Sequence, residues 1–395
     1  MTDCCIIGGG IIGLSIAREL AGRGLSVRVL ARDATRDTAS WAAAGIFPPT
    51  ADVPGGAAGD TLTAWSDRLH RLWAGELRDE TGVDNGLETC GGLHLAWDAR
   101  GEQRLREEFA AWRGKGVACD PLTAAAVAEV EPALRGAVER AAVTGGFVLP
   151  DETQIRPPRH LEALARSCRS RGVEITSADV VAIDVHGGAV RGVAARGSHG
   201  DESTVRAGHY CLAAGAWSGR LAASFGLTIE TRPIRGQIAL VRLPARPLAR
   251  IVNVGLDYVV PRTDGRLLVG STIEDAGFAP ATTPEAVARL LDLAHRLLGP
   301  LPDAVVERAW AGLRPGSVDG LPFIGRVPGC DNAFVAAGHF RAGLHQSTGT
   351  AVLLADLLTG RTPAVDPAPF APDRRPAAAA PDSVQAYLAR VAADS

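Results

Sequence analysis

Apolar runs and a glycine-rich segment follow one another over the first thirty residues in the order strand, turn, helix and strand. An apolar run ends at Ile7, GGGIIG follows at residues 8–13, and SIARELAGRG then places apolar residues at helical spacing. The alternating run LSVRVL predicts a second strand. This βαβ pattern is typical of the parallel sheet of an α/β fold.

Helical and strand patterns alternate through the rest of the chain. Helical spacing predicts helices over residues 60–81, 101–115, 158–171, 284–299 and 349–360, and an Ala-rich helical stretch over 121–140 that Pro132 closes. Strand patterns occur over residues 91–97, 172–176, 180–185, 190–196, 209–218 and 332–338, and strands dominate residues 232–275. The TDG at residues 263–265 indicates a hairpin in that last region.

The order of these elements predicts two interleaved domains followed by a tail. Each domain is discontinuous: an α/β domain over residues 1–85, 150–220 and 326–375, and a domain rich in antiparallel strands over residues 86–149 and 221–325. Residues 376–395 form a C-terminal tail, in which the pattern predicts a short helix over 383–393 after the Pro- and Ala-rich residues 361–382. A length of 395 residues suits two or three domains of about 150 residues.

Composition and charge exclude several classes of protein. The 41 basic and 44 acidic residues give a net charge of −3, which provides no basic surface for nucleic acid or anionic membrane. A hydrophobic content of 46% and a charged content of 22% are typical of a folded globular chain. The N-terminus lacks a basic segment before its apolar run, and the apolar runs are shorter than the roughly 20 residues of a membrane span. We therefore expect a soluble, cytoplasmic protein.

The seven cysteines are scattered and include no C-x-x-C pair, so the sequence predicts neither a disulfide framework nor a zinc site. The nine histidines show no metal-ligand spacing either. We expect no metal site.

Gly8, Gly10 and Gly13 form a G-x-G-x-x-G motif between the first predicted strand and helix. The first glycine permits a tight turn, the second lets the backbone approach a pyrophosphate, and the third allows close helix packing. The N-terminus of the helix attracts the phosphate charge. The motif favours dinucleotide binding over the alternative of a purely structural glycine turn.

The motif also predicts an acidic residue at the end of the second strand, where it would hydrogen-bond a ribose hydroxyl. That strand ends in Ala31, Arg32 and Asp33, so the usual acidic position is Ala31. The contact is either missing or made by Asp33. Arg32 either favours a 2′-phosphate, and hence NADP, or forms a solvated surface pair with Asp33.

Several segments together resemble the FAD-dependent D-amino-acid oxidase family, and within it the glycine oxidases of thiamine biosynthesis. They occur in the family's order from Cys4 to about Arg375 and comprise ASWAAAG (39–45), CLAAGAWS (211–218), RPIRGQ (232–237), YVVPRTDGRLLVGST (258–272), WAGLRPGSVDGLPFIG (310–325) and AAGHFRAG (336–343). The resemblance implies an α/β fold with a Rossmann-like FAD-binding domain of the glutathione-reductase type, interleaved with an antiparallel-sheet-rich substrate domain.

The resemblance implies three catalytic residues. Arg314 matches the arginine that holds the substrate carboxylate, a role that suits a planar guanidinium, although a buried structural arginine is the alternative. Tyr258 matches a tyrosine on the substrate side, or is a core aromatic. Arg341 matches a residue near the substrate amine and the flavin, or forms a salt bridge between the C-terminal strand and helix.

The motif and the resemblance together assign residues to the cofactor. They are Gly8, Gly10, Ile11, Ile12, Gly13, Asp33, Ser40, Ala44, Gly45, Val181, Gly215, Gly338, His339, Phe340, Arg341 and Gly343. Leu313 occupies the place where sarcosine-oxidase relatives carry a flavin-linking cysteine, which implies noncovalent FAD.

The implied activity is oxidative deamination of a small amino acid such as glycine by hydride transfer to the flavin. The products are an imine or oxoacid, ammonia and hydrogen peroxide, with molecular oxygen as electron acceptor. The alternatives are another amine oxidase or dehydrogenase of this family, acting on D-amino acids or sarcosine, or a dinucleotide-binding protein without catalysis. Relatives are often tetramers, so a homo-oligomer is compatible, but no feature of the sequence demands one.

The chain departs from the glycine-oxidase pattern at two places. Residues 342–348 (AGLHQST) are more polar than the corresponding segment of glycine oxidases, and Leu256 stands where relatives can carry a polar residue. These departures leave the identity of the substrate open.

Overall fold

A computed structural model describes residues 2–32, 38–51, 56–375 and 383–394. Asp33, one of the predicted cofactor contacts, lies outside the described residues. Within these ranges no helix is long and apolar enough to cross a membrane.

Ten α-helices occur in the described part of the chain. They are α1 (Ile11–Gly22), α2 (Ala58–Thr81), α3 (Ala99–Gly114), α4 (Ala124–Val130), α5 (Arg135–Glu139), α6 (Pro157–Ser170), α7 (Ser218–Ala222), α8 (Pro284–Leu298), α9 (Ser347–Thr359) and α10 (Val384–Asp394).

Nineteen strands occur in the same ranges. They are β1 (Thr2–Ile7), β2 (Val27–Ala31), β3 (Ile46–Phe47), β4 (Glu88–Thr89), β5 (Gly92–Ala96), β6 (Asp120–Thr123), β7 (Gly145–Leu149), β8 (Thr153–Gln154), β9 (Glu174–His186), β10 (Ala189–Gly197), β11 (Glu202–Val205), β12 (Ala207–Leu212), β13 (Thr231–Arg242), β14 (Ile251–Val254), β15 (Asp257–Pro261), β16 (Arg266–Gly270), β17 (Val305–Ser317), β18 (Phe323–Arg326) and β19 (Ala333–Ala337).

The first eight-stranded sheet has the order β11-β10-β9-β2-β1-β12-β19-β18. Its five central strands, from β9 to β19, are parallel, and the outer strands pair antiparallel. Helices α1, α2, α6 and α9 bury their apolar side chains together with one face of this sheet, in a core that includes Ile6, Ile16, Leu164 and Leu354. The predicted βαβ opening is therefore confirmed, with β1 in the centre of the parallel region.

The second eight-stranded sheet has the order β17-β13-β16-β15-β14-β5-β7-β6 and is antiparallel except for the pair β14–β5. A third sheet of three short strands has the order β3-β8-β4. The predicted hairpin is confirmed, because β15 and β16 pair antiparallel on either side of residues 263–265. The predicted α/β fold with a second, antiparallel-rich part is also confirmed; the domain boundaries stay a prediction.

Two sequence predictions about local structure are wrong. The separate strands predicted over residues 172–176 and 180–185 are one long strand, β9, because residues 174–177 pair with β2 and residues 178–186 pair with β10. The helical stretch predicted over 121–140 is divided into strand β6, helix α4, a 3₁₀ turn that begins at Pro132, and α5. Proline removes a backbone donor and blocks continuation of the preceding helix.

Candidate active site

The glycine motif forms a tight turn between β1 and α1. Gly8 has a φ of +120°, and a Cβ there would lie 2.2 Å from the carbonyl oxygen of Ala213. A Cβ at Gly13 would lie 1.9 Å from the carbonyl oxygen of Gly8. Both distances are far below van der Waals contact with backbone atoms, so these positions require glycine.

Ser40 lies at the N-terminus of α1. Its Oγ accepts a hydrogen bond of 2.9 Å from the backbone N–H of Ile11, and Gly10 is the residue before the helix. The side chain of Ile11 is buried and that of Ile12 packs against the same core, so these two residues face the helix start only with their backbone. The Ser40 hydroxyl keeps its own proton to donate, and a helix N-terminus attracts anions.

The residues after β2 and β12 lie beside this turn. A Cβ at Gly9 would lie 2.5 Å from the Cβ of Ala31, so the backbone of the turn comes close to the end of β2. The Arg32 guanidinium stacks on the Trp217 ring at 4.0 Å. Gly215 has a φ of +57° and begins the 3₁₀ turn that carries Trp217. Val181 lies in β9 with its side chain 40% exposed, so its position offers backbone atoms rather than a buried side chain.

The segment with Ala44 and Gly45 is held by an arginine that the sequence analysis did not assign. Arg262 donates hydrogen bonds of 2.7 Å to the carbonyl oxygen of Ala44 and 3.1 Å to that of Ile155. Gly45 has a φ of +77°, and a Cβ there would lie 2.0 Å from the same Ile155 oxygen. Arg262 is buried and burial lowers its pKa to about 10, which leaves it charged at neutral pH.

Arg314 lies on one face of the second sheet, opposite Ile234 on β13. Gly236 lies two residues further along β13 and therefore faces the same side. A Cβ at Gly236 would lie 2.1 Å from Nη1 of Arg314 and 2.3 Å from its Cζ. The guanidinium thus lies flat on the backbone of Gly236, in space that any other residue would fill.

Two hydrogen bonds orient the Arg314 guanidinium. Its Nη1 donates to the carbonyl oxygen of Thr272 at 3.1 Å, and its Nη2 donates to the Ser271 Oγ at 2.8 Å. Burial lowers the pKa of Arg314, its interaction with the Tyr258 hydroxyl opposes this, and the charge of Arg341 lowers the pKa further. The positive charge of Arg341 therefore adds to that of Arg314, and two positive charges favour binding of an anion.

Tyr258 is buried and lies opposite Gly270 in the β15–β16 pair. A Cβ at Gly270 would lie 2.6 to 2.7 Å from the Tyr258 ring and hydroxyl. The ring therefore lies over glycine in the same way as the guanidinium of Arg314. Because Gly236 and Gly270 have no side chains, the guanidinium of Arg314 and the phenol of Tyr258 lie directly on the backbone of the sheet, side by side.

A loop after β19 attaches the first sheet to this patch. Gly338 has a φ of +80° and Phe340 a φ of +46°, and the N–H of Phe340 donates to the carbonyl oxygen of Pro315, the residue after Arg314. The loop thereby attaches the segment that leads into Arg341 to the strand that carries Arg314. The Arg341 side chain is exposed and its Cζ lies 4.7 Å above the Tyr387 ring.

His339 and Gly343 pack inside the same loop. The Nε2 atom of His339 lies 3.0 Å from the Thr350 Oγ1, and burial lowers the His339 pKa to about 3. His339 is therefore neutral and structural at ordinary pH. A Cβ at Gly343 would lie 3.2 Å from the Cβ of His339.

The polar segment 342–348 faces α2. Gln346 donates to the Thr63 hydroxyl at 3.0 Å, Thr348 donates to the carbonyl oxygen of Ser66 at 2.9 Å, and His345 lies 3.4 Å from Asp67. The departure from the glycine-oxidase pattern thus has a structural reason, because these side chains hydrogen-bond to a neighbouring helix. Among the described residues, no group of three or more His, Cys, Asp or Glu side chains is arranged to bind a metal ion.

The structure places the residues singled out in the sequence in two groups. The dinucleotide-type turn with Ser40 belongs to the first sheet, whereas Tyr258 and Arg314 lie side by side on the second. Arg341 lies in the loop after β19, which is hydrogen-bonded to the strand of Arg314. Gly236, Gly270 and Ser271 were missed, although a glycine inside a strand signals close approach of another group.

The family comparison decides what this arrangement belongs to. Residues 3–357 match the sequence model of the FAD dependent oxidoreductase family known as DAO. The chain belongs to this family. The match covers both sheets, from β1 to within α9.

Individual relatives agree with the family assignment. The FAD-dependent oxidoreductase is 36% identical over 371 residues to a glycine oxidase of Pseudomonas aeruginosa, covering 94% of this chain and 98% of the relative. It is 34% identical to the bifunctional protein ThiO/ThiG of Nostoc sp., covering 90% of this chain and 52% of that relative. The crystal structure of glycine oxidase from Geobacillus kaustophilus superposes with a TM-score of 0.86 at 32% identity, covering 95% of this chain and 99% of the other.

The residues present fit FAD. Gly8 and Gly13 form the tight turn of a dinucleotide site, because a Cβ there would meet backbone oxygens at 2.2 and 1.9 Å, and Gly10 has no side chain at the helix start that a pyrophosphate would approach. The start of α1 and the hydroxyl of Ser40 supply the positive dipole end and a donor for phosphate oxygens. The loop with Gly338 connects the sheet that carries this turn to the strand that carries Arg314, so its residues would hold the part of FAD next to the proposed substrate residues.

Proposed function

We propose that this protein catalyses the oxidative deamination of glycine with molecular oxygen. Glycine, oxygen and water give the two-carbon oxoacid, ammonia and hydrogen peroxide, so the α-carbon loses two electrons that reduce oxygen. The observation that carries the proposal is the guanidinium of Arg314, laid on Gly236 beside Tyr258 in a chain that is 36% identical to a glycine oxidase.

Arg314 binds the substrate carboxylate in this proposal. A guanidinium presents donors in a planar fork and forms two parallel charge-assisted hydrogen bonds with a carboxylate. Ser271 and the Thr272 carbonyl hold the fork in one orientation. The Tyr258 hydroxyl lies beside it and completes the carboxylate site.

Arg341 acts on the substrate amine through its charge. A cation near an ammonium group disfavours the charged form, so Arg341 favours the neutral amine that must donate its lone pair as the C–H bond breaks. When bound, noncovalent FAD supplies the hydride-accepting centre and its regeneration by oxygen. The protein's contribution is to position the α-carbon and to exclude other orientations.

The cofactor contacts are proposed at the backbone of Gly8, Gly10, Ile11, Ile12 and Gly13, at Ser40, Ala44 and Gly45, at Val181 and Gly215, and at Gly338, His339, Phe340, Arg341 and Gly343. Thiamine biosynthesis, in which the imine feeds thiazole formation, is the proposed pathway, because the resemblance of the sequence is to that group of glycine oxidases.

Anaerobic addition of glycine to the purified protein tests the proposal. We expect the visible flavin absorption to bleach, and expect Arg314→Ala to lower kcat/KM by the loss of about 2 to 5 kcal/mol that follows truncation of one partner of a buried charge pair. Arg314→Lys keeps the charge but loses the planar fork of donors, so its kcat/KM should lie between those of wild type and Arg314→Ala. Arg196→Lys on the exposed strand β10 is the matched control.

Two results would contradict the proposal. Bleaching by sarcosine or D-alanine but not by glycine would show that the substrate is wrong. Unchanged kcat/KM in Arg314→Ala, with flavin content retained, would remove the carboxylate role of Arg314.

A further inference from the structure

Helix α10 lies outside the part of the chain that matches the family, because that match ends at residue 357 and α10 spans Val384–Asp394. It nevertheless packs on the second sheet. A Cβ at Gly316 would lie 2.1 Å from Cγ2 of Val384. Gly316 is two residues from Arg314 on β17 and faces the same side, so Val384 rests on the sheet beside the guanidinium.

The apolar face of α10 completes a small buried cluster around Arg314. Ile234, Ile273, Phe340 and Val384 form this cluster, and Leu256, Tyr387, Leu388 and Val391 pack against it. Ile234 lies opposite Arg314, and Ile273 follows Thr272, whose carbonyl accepts from Arg314. Leu256 is two residues before Tyr258. The cluster therefore consists of direct neighbours of the substrate residues.

The apolar residue at position 256 also has a structural reason. A polar side chain there would have to be partly desolvated against the apolar cluster on which Leu256 packs, at a cost that leucine avoids. The departure at Leu256 and the presence of α10 are thus two parts of one feature.

Tyr387 links α10 to Arg341. Its ring lies edge-on to Phe340 with centroids 5.4 Å apart, and the Cζ of Arg341 lies 4.7 Å above the ring. The face of an aromatic ring attracts a guanidinium. Since the side chain of Arg341 is otherwise exposed, this contact restricts where its charge lies.

The far end of α10 is also attached. Arg100 of α3 donates a hydrogen bond to the carbonyl oxygen of Ala393. A helix of 11 residues is about 16 Å long, so α10 crosses from β17 to α3 past the turn that carries Leu256. Both ends are held, and the segment between them packs on the apolar cluster and on Phe340 and Arg341.

We propose that α10 forms one wall of the substrate site and that Tyr387 is a positioning residue that holds Arg341 toward the bound substrate. The identity of that substrate rests on the proposed function. The role of α10 does not rest on that identity, because any ligand whose carboxylate binds Arg314 would lie next to this helix.

The test compares Tyr387→Leu, which removes the ring face, with Tyr387→Phe, which keeps it. Acetate, which carries the carboxylate of glycine, is titrated into each FAD-loaded variant while the flavin spectrum is followed, because the positive charge of Arg341 that acts on Arg314 would also attract a carboxylate bound there. We expect Tyr387→Leu to raise the acetate Kd and the glycine KM by about 2- to 30-fold, the range for a cation–π contact, with kcat changed less. Tyr387→Phe keeps the ring, so its acetate Kd and glycine KM should equal those of wild type. Gln385→Ala, on the exposed side of α10, should also leave both values unchanged.

The outcomes separate this inference from the proposed function. If acetate binds but glycine is not oxidised, the proposed function fails, and the acetate Kd values still decide the role of Tyr387. Equal acetate Kd values in wild type, Tyr387→Leu and Tyr387→Phe would overturn the inference. If Tyr387→Leu has a lower melting temperature or FAD content, Tyr387→Gln, which keeps side-chain length without a ring, replaces it, and the same Kd comparison applies.

Discussion

Replacing Gly236 by alanine tests the site at the point where its geometry is tightest. The new Cβ would lie 2.1 Å from Nη1 and 2.3 Å from both Cζ and Nη2 of Arg314, whereas ordinary contact begins at 3.4 Å. The guanidinium must therefore move by about 1 Å. It is the end of a flexible side chain, so the backbone of β13 can remain in place while Arg314 shifts.

The shift separates a loss of activity from a loss of stability. Moving the guanidinium breaks its hydrogen bonds to Ser271 and Thr272, which are 2.8 and 3.1 Å long, at a stability cost of about 1 to 3 kcal/mol in total. Misplacing a substrate-holding group by about 1 Å can reduce the rate about 100-fold. We expect kcat/KM for glycine to fall by about that factor while the melting temperature falls by only a few degrees.

The assay measures peroxide formation over a range of glycine concentrations, with the acetate Kd as a readout that needs no turnover. Gly75→Ala in α2 is the matched control, because a Cβ there has no neighbour within 4 Å. A Gly236→Ala enzyme with kcat/KM and acetate Kd within twofold of wild type would refute the reasoning, since it would mean that the position of Arg314 does not govern substrate binding.

Two further predictions concern the cofactor and stability. Gly13→Ala places a Cβ 1.9 Å from the Gly8 carbonyl oxygen, a backbone atom, so we expect more than a tenfold loss of FAD affinity, measured by flavin absorbance after dialysis. Gly75→Ala, where a Cβ would have no neighbour within 4 Å, should keep its FAD affinity; equal losses in the two variants would contradict the steric reason. Burial opposes protonation of His94, but hydrogen bonds to Glu108 and Glu152 outweigh it and raise the His94 pKa to about 10. Because the folded-state pKa lies above the unfolded value near 6.5, the stabilisation is complete below about pH 6.5 and is lost as the pH rises through 10. The difference in unfolding free energy between wild type and His94→Gln should shrink over that range, and a difference independent of pH would show that His94 is not protonated in the folded protein.

The elements with regular patterns could be predicted from the sequence. The strand ending at Ile7, the glycine turn and α1 occur as the pattern indicates, and α9 ends before Gly360, whose φ is +68°. In each case local propensity and burial agree, because one face of the helix must pack on a parallel sheet. The resemblance to a family of FAD-dependent oxidoreductases is confirmed, whereas the roles of individual site residues stay predictions.

Strand β17 shows why other parts could not be predicted. Its sequence VVERAWAGLRPGS contains Gly312, Pro315 and Gly316, and these residue types are rare inside strands. Each glycine is explained only by a distant neighbour, because a Cβ at Gly312 would lie 2.7 Å from the Cβ of Ala42 and one at Gly316 would lie 2.1 Å from Val384. A local pattern holds no information about partners that far along the chain.

The same strand explains how one site is made from two sheets. β17 carries Arg314, presents Gly316 to α10, and forms a bridge from Gly316 to His339 in the loop after β19. The loop in turn belongs to the parallel sheet that carries the dinucleotide-type turn. Gly312, Pro315 and Gly316 are unfavourable in strands, but they let three separate elements contact β17 closely: the segment with Ala42, the loop after β19, and α10. These three residues thus attach the strand with the proposed carboxylate site to the loop that follows the parallel sheet.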